Sequence, residues 1–104
     1  MQFAIYINPD KDTRKTYPFF IDVQSNLLDS LNSRVVIPLT PIENAKKNYP
    51  TNLCPTIKIK NKEYALLTHQ ITSVPRGILK KMIGSAESNR NDIVSAIDFV
   101  ITGI

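Results

Sequence analysis

Cysteine and histidine occur once each, at Cys54 and His69, and tryptophan is absent. A single cysteine rules out an internal disulfide and suits a reducing compartment. One Cys and one His cannot complete a zinc site without carboxylates, and no ligand-like spacing brings any to them, so no metal is expected. Glycine is scarce, and Gly77, Gly84 and Gly103 stand too far apart for a loop that cradles phosphate. No apolar run approaches the ~20 residues that span a bilayer. The start, Met1-Gln2-Phe3-Ala4-Ile5, lacks the basic end and apolar middle of a signal peptide. These absences lead to the expectation of a cytoplasmic protein with no membrane segment and no cofactor.

What remains is an ordinary globular composition, 42% hydrophobic and 21% charged. A chain of 104 residues is long enough for one compact domain, residues 1–104, with a modest core, and too short for two. Thirteen Lys and Arg against nine Asp and Glu give a net charge of +4. That balance favours acidic partners, nucleic acid or polypeptide. The basic residues come in ones and twos, however, and a solvated basic surface is the commoner use of such a pattern.

Periodicity divides the chain into short extended runs. Phe3, Ile5 and Ile7 alternate with Gln2, Ala4 and Tyr6, and Tyr17, Phe19, Ile21 and Val23 form a second alternating set. The two predict an antiparallel hairpin whose long charged loop, Asn8 to Lys15, stands in solvent as a docking candidate. Leu27-Leu28 comes next, an apolar pair that is awkward to bury within a loop. Arg34-Val35-Val36-Ile37-Pro38-Leu39 reads as a buried strand whose proline implies an edge or a bulge. Thr40-Pro41-Ile42-Glu43 resembles a capping box and predicts a short helix from Pro41 to Lys47. The run from Cys54 to Lys60 alternates aliphatic with lysine side chains, Asn61-Lys62 is a candidate tight turn, and Glu63 to Leu67 returns as its partner. Gln70 to Val74 is again extended. Arg76 to Ile83 is ambiguous between strand and helix, and Gly84-Ser85 separates it from the C-terminal segment. Five or six strands, one inserted helix and one final helix predict a mainly β, partly closed antiparallel barrel. No internal repeat, low-complexity tract or linker interrupts it.

The final helix is expected from about Ser88 to the last residue, started by a side-chain cap in Ser88-Asn89 and by Asp92 in its first turn. Ile93, Ile97, Val100 and Ile104 fall in one narrow stripe, the face assigned to the core. Val94 and Ile101 flank that stripe, and Phe99 lies nearly opposite. One small domain cannot easily cover all these faces, so the end of the helix is expected to meet another chain.

Catalytic candidates are few. Cys54 and His69 could form a nucleophile pair, but Cys54 precedes Pro55 at a strand start, where a small buried hydrophobe is the commoner role. Asp22 or Glu63 could act as a general base, though capping or solvating a strand end is the simpler use. Arg14, Arg34 and Arg76 could surround a scissile RNA phosphate, and Tyr6, Tyr17, Tyr49 and Tyr64 could stack bases, yet nothing in the sequence makes them converge. The expectation is a protein that acts by binding and is not an enzyme.

One set of residues carries a resemblance. Phe20-Ile21-Asp22-Val23-Gln24-Ser25, Leu27-Leu28-Asp29, Val36-Ile37-Pro38-Leu39, Thr72-Ser73-Val74-Pro75, Arg90-Asn91-Asp92-Ile93 with Ala96-Ile97, and Gly103-Ile104 are similar, in matching order, to the CcdB toxins of bacterial toxin-antitoxin modules. The resemblance runs over nearly the whole chain. It implies an SH3-like barrel and a homodimer joined along the C-terminal helices. It also implies a toxin that binds the A subunit of DNA gyrase and traps the enzyme on cleaved DNA without being an enzyme itself. By the same resemblance the gyrase contacts are Leu27, Leu28, Asp98, Ile101, Thr102, Gly103 and Ile104. The dimer interface takes in Gln24, Ser25, Leu27, Gln70, Ile71, Thr72, Asp98 and the residues from Ile101 to Ile104. The sequence departs at Thr102, where the best-known form of the family carries tryptophan, and at Asp98, where that form carries asparagine. An acidic, partly disordered CcdA-like antitoxin is the implied neutralising partner. It would contact Asp10, Lys11, Asp12, Thr13, Arg14 and Lys15, together with Glu43, Lys46, Lys47 and Asn48, while operator DNA is reached indirectly through it. The related MazF-like endoribonuclease toxins share the barrel and are the alternative.

Overall fold

In the computed structural model, which describes residues 1–45 and 49–103, Ile5, Ile21 and Ile37 lie opposite one another on three adjacent strands. All three are buried, and with Phe3, Leu39, Ile57, Leu66 and Ile93 they form the main core. The strands are β1 (Ala4–Ile7), β2 (Phe19–Asp22), β3 (Ser33–Pro41), β4 (Thr56–Ile59), β5 (Lys62–Leu66), β6 (Thr72–Pro75) and β7 (Met82–Ser85), and α1 is Arg90–Thr102. Every pairing is antiparallel. The spatial order is β4-β5-β3-β2-β1-β7, with β6 also on β3, and the sheet curls into the expected half-closed barrel. Among the described residues no helix is long and apolar enough to cross a membrane.

The β1–β2 hairpin forms as its alternation predicts, but the pleat does not begin at Gln2. Phe3 has φ 67°, a left-handed conformation, so Phe3, Ala4 and Ile5 are buried in succession. The guanidinium of Arg90 lies 5.4 Å from the centre of the Phe3 ring, which ties the start of α1 to this bend.

Pro38 is neither at an edge nor at a bulge. It sits inside β3, the longest strand, opposite Phe20. On its other side β3 exchanges β6, paired to residues 33–36, for β5, paired to residues 39–41. The Pro38 carbonyl accepts from the Leu67 amide at 2.9 Å on that side. The donor that proline lacks therefore falls in the changeover, where no ladder bond is lost.

Three further expectations are corrected by local chemistry. The segment after β3 makes a single 3-10 turn, Ile42–Asn44, instead of a capped helix. The Thr40 hydroxyl donates to the Thr16 carbonyl at 2.7 Å and accepts from Asn44, so it is not available as a cap. The predicted continuation to Lys46 and Lys47 lies outside the described residues. The β4–β5 turn is Lys60-Asn61, with φ 50° and 68°, one residue earlier than expected. Two left-handed residues give the hairpin turn whose twist matches the strands, without glycine. Gly84 and Ser85 belong to β7, whereas Arg76–Ile78 forms a 3-10 turn, so the ambiguous segment contains both structures.

The start of α1 is shifted too. Glu87–Asn89 is a 3-10 turn, and Asn89 precedes the helix without a side-chain cap. Ile93 and Ala96 are fully buried and Ile97 packs against the core, but Val100 is exposed. The stripe is real for its first turns only, because the helix carries its last turn beyond the cover of the sheet.

Candidate functional site

Among the described residues, exposed aliphatic side chains cluster in two segments. The first is a 3-10 turn, Asn26–Leu28, between β2 and β3. Ser25 starts it, its hydroxyl accepting from the Leu27 amide at 3.2 Å. The Leu27 side chain is 93% exposed, Leu28 49% and Leu31 47%. Sequence alone marks the first two leucines and misses Leu31, although its position in a turn-rich segment is the same signal.

The second segment is the end of α1. Ile101 is 73% exposed, and Val94 and Val100 are also uncovered. The helix closes through Gly103, whose φ of 76° suits a residue without Cβ and whose amide donates to the Phe99 carbonyl at 2.9 Å. The Thr102 hydroxyl folds back to donate to the Asp98 carbonyl at 2.7 Å. Asp98 and Thr102 are both exposed. Ile97, Val100 and Ile101 meet Thr68 and Ile71 around a small apolar gap of about 10 Å³. The structure thus brings Ile71 and Ile101 together, with Gln70 and Thr72 on either side of Ile71. Ile104 lies outside the described residues.

Polar groups, not a core, hold the first segment. Arg34 is buried; its Nε donates to Asp22 at 2.9 Å and its other arm to Asp29. Burial works against the charge of the guanidinium, but the hydrogen bonds it donates to Asp22 and then Asp29 outweigh it and raise its pKa. The same bond to Arg34 holds the Asp29 carboxyl below the usual carboxylate range. Gln24 is buried beside them. Its Nε2 donates to the Leu28 carbonyl at 3.0 Å, and its Oε1 accepts from the Val35 amide at 3.0 Å. Asp22 is consequently half of an internal ion pair, not a base or a strand-end solvator, and Arg34 is no free cation for a phosphate. Sequence spacing could not reveal this pair, because its members belong to different strands.

The charged loop is as exposed as expected. Asp10, Lys11, Asp12, Thr13, Arg14 and Lys15 all face solvent. The buried Asn8 stitches its base, donating to Tyr17 at 2.8 Å and to Thr13 at 3.0 Å, while Arg14 donates to the Asn8 carbonyl. Glu43 is exposed in the turn after β3. Lys46, Lys47 and Asn48 lie outside the described residues.

Cys54 and His69 do come together, Sγ to Nδ1 at 4.0 Å, and His69 stacks on Tyr49. Burial nevertheless pushes the Cys54 thiol above its ordinary pKa, which keeps it protonated at neutral pH and opposes a nucleophilic role. Lys58 stands opposite Glu63 in the register of β4 and β5, and both are exposed, which leaves Glu63 as part of a surface charge pattern.

Over this fold, residues 2–103 match the family described as CcdB protein. The match leaves out only two of the 104 residues. The chain therefore belongs to the CcdB family, toxins of toxin-antitoxin modules that poison DNA gyrase instead of catalysing a reaction.

Proposed function

We propose that this chain is a non-enzymatic toxin that binds the A subunit of DNA gyrase and traps the enzyme on cleaved DNA. The observation that carries the reading is the exposure of Leu27, Leu28 and Ile101, three aliphatic side chains that the fold leaves without cover and that the sequence resemblance assigns to gyrase contact. Burying such side chains against a partner supplies roughly 1.5–3 kcal/mol each. Asp98, Thr102, Gly103 and Ile104 complete the gyrase surface. The working form is a homodimer joined along α1, with Ser25, Leu27, Gln70, Ile71, Thr72 and the helix end at the seam and Gln24 supporting it from beneath. An acidic CcdA-like antitoxin takes the charged loop from Asp10 to Lys15 and the stretch from Glu43 through Lys46, Lys47 and Asn48, drawn by the +4 charge of the toxin. All of this takes place in the cytoplasm, and operator DNA is engaged through the antitoxin.

The test is a purified gyrase reaction with DNA and ATP. Cleaved DNA accumulates if the reading holds. RNA degradation by the pure protein, with gyrase unaffected, overturns it in favour of a MazF-like endoribonuclease.

A further inference from the structure

The segment from Asn26 to Asn32 contains no buried residue, although it carries three exposed leucines. A loop of this kind has no hydrophobic anchor of its own and is expected to sample many conformations. Here it is held in one by side chains that reach it from buried positions. Gln24 fixes the Leu28 carbonyl from below and is itself fixed by the Val35 amide. Arg34 fixes Asp29, which terminates the Asn26–Leu28 turn, and is itself fixed by Asp22. Asp22 accepts in turn from the Gln24 amide at 3.0 Å, so the two supports are joined. Outside them, the Asn26 carboxamide accepts from the Gln2 amide at 3.1 Å, and the Asn32 carbonyl from the Arg76 amide at 2.8 Å.

We propose that Gln24 and Arg34, acting through Leu28 and Asp29, are positioning residues that set Leu27 and Leu28 in the conformation a protein partner receives. This rests on the reading that the leucine pair contacts gyrase. A pre-set loop loses less conformational freedom on binding, so the loop-side bonds to Leu28 and Asp29 act on affinity for the partner at that loop, whereas the buried Asp22–Arg34 pair beneath them also supports the fold. Asp29 is the informative handle. Its side chain is 56% exposed, and removing it leaves Arg34 its buried partner Asp22.

The experiment compares the full-length protein with Asp29→Ala, Gln24→Leu and Leu27→Asp, measuring affinity for the purified gyrase A subunit and amide hydrogen exchange. Asp29→Ala and Gln24→Leu are expected to weaken gyrase binding about five- to tenfold each. They should also speed exchange at Leu28, Asp29 and Leu31 while leaving Ile21 and Ile37 protected. Asp29→Glu, which keeps the acceptor, should recover part of the loss. If Leu27→Asp abolishes binding while Asp29→Ala and Gln24→Leu bind as the native protein does, the positioning role is overturned and the contact assignment stands. If Leu27→Asp binds normally, the contact assignment itself fails. Loss of protection throughout the sheet in both supporting variants would reduce the network to fold support and overturn the proposal.

Discussion

The two uncovered apolar segments are exposed for different physical reasons. The end of α1 is uncovered because a helix anchored by Ile93 and Ala96 runs past the sheet that buries them. Its backbone needs nothing beyond the helix itself and the Gly103 closure. The Asn26–Leu28 turn has no such scaffold, and its shape depends on buried polar side chains from the neighbouring strands. Equal exposure therefore hides unequal support. Substitutions on the helix end should alter binding and little else, whereas substitutions beneath the loop should alter stability or loop order first.

The largest expected effect breaks that support outright. Arg34→Ala leaves Asp22, 1% exposed, as a buried carboxylate without its main partner. Removing one member of a buried pair costs roughly 3–5 kcal/mol, which should appear as a large drop in the midpoint of chemical denaturation. A midpoint close to the native one would mean that the loop does not rest on this pair.

Ile101→Asp probes the other side of the comparison. Because Ile101 is 73% exposed on the single chain, the stability of the protomer's own fold should change by no more than about 0.5 kcal/mol, any further loss belonging to the proposed dimer seam. Accumulation of cleaved DNA by gyrase should meanwhile require at least roughly thirtyfold more protein, a loss on the scale of an interface hot spot. Unchanged poisoning would remove the helix end from the target site. A smaller change, in the opposite direction, is expected from Thr102→Trp. The present hydroxyl is spent on the Asp98 carbonyl, whereas an aromatic ring offers a partner a large apolar surface. Gyrase affinity should rise about fivefold, read by titration against the A subunit. No gain would mean that the gyrase surface is built around the smaller side chain.

The two segments are unequally legible in the sequence as well. Period-2 alternation locates the β1–β2 hairpin and the Ile57 and Ile59 face of β4, and the final helix is evident from its spacing. The exposure of Leu27 and Leu28 can be inferred from placing an apolar pair inside a loop. The network beneath them is not legible, because Asp22, Gln24 and Arg34 are all residues of ordinary surface type, and only the pairing of β2 with β3 brings them together. Pro38 misleads for a similar reason. A proline argues for an edge, and only the change of partner along β3 makes an interior position tolerable. Val100 falls in the expected core stripe yet is exposed, because helical spacing predicts which residues share a face but not where the covering sheet ends.

Acid should separate the two segments most gently. Arg34, by its hydrogen bond and then its charge, lowers the pKa of Asp29, with the amino terminus and Arg76 adding smaller attractions. A carboxyl depressed in the folded state contributes its interaction above its unfolded pKa and loses it as pH falls through the folded value. Amide exchange at Leu28, Asp29 and Leu31 should therefore stay slow through neutral and mildly acidic conditions. Below the usual carboxylate range, after correction for the intrinsic pH dependence of exchange, it should quicken. The gap at the helix end is lined by Thr68, Ile71, Ile97, Val100 and Ile101, none of which titrates, so protection at Ile97 and Val100 should be unaffected over the same range. If both segments loosen together, the acid response belongs to the whole fold and Asp29 is not what holds the loop.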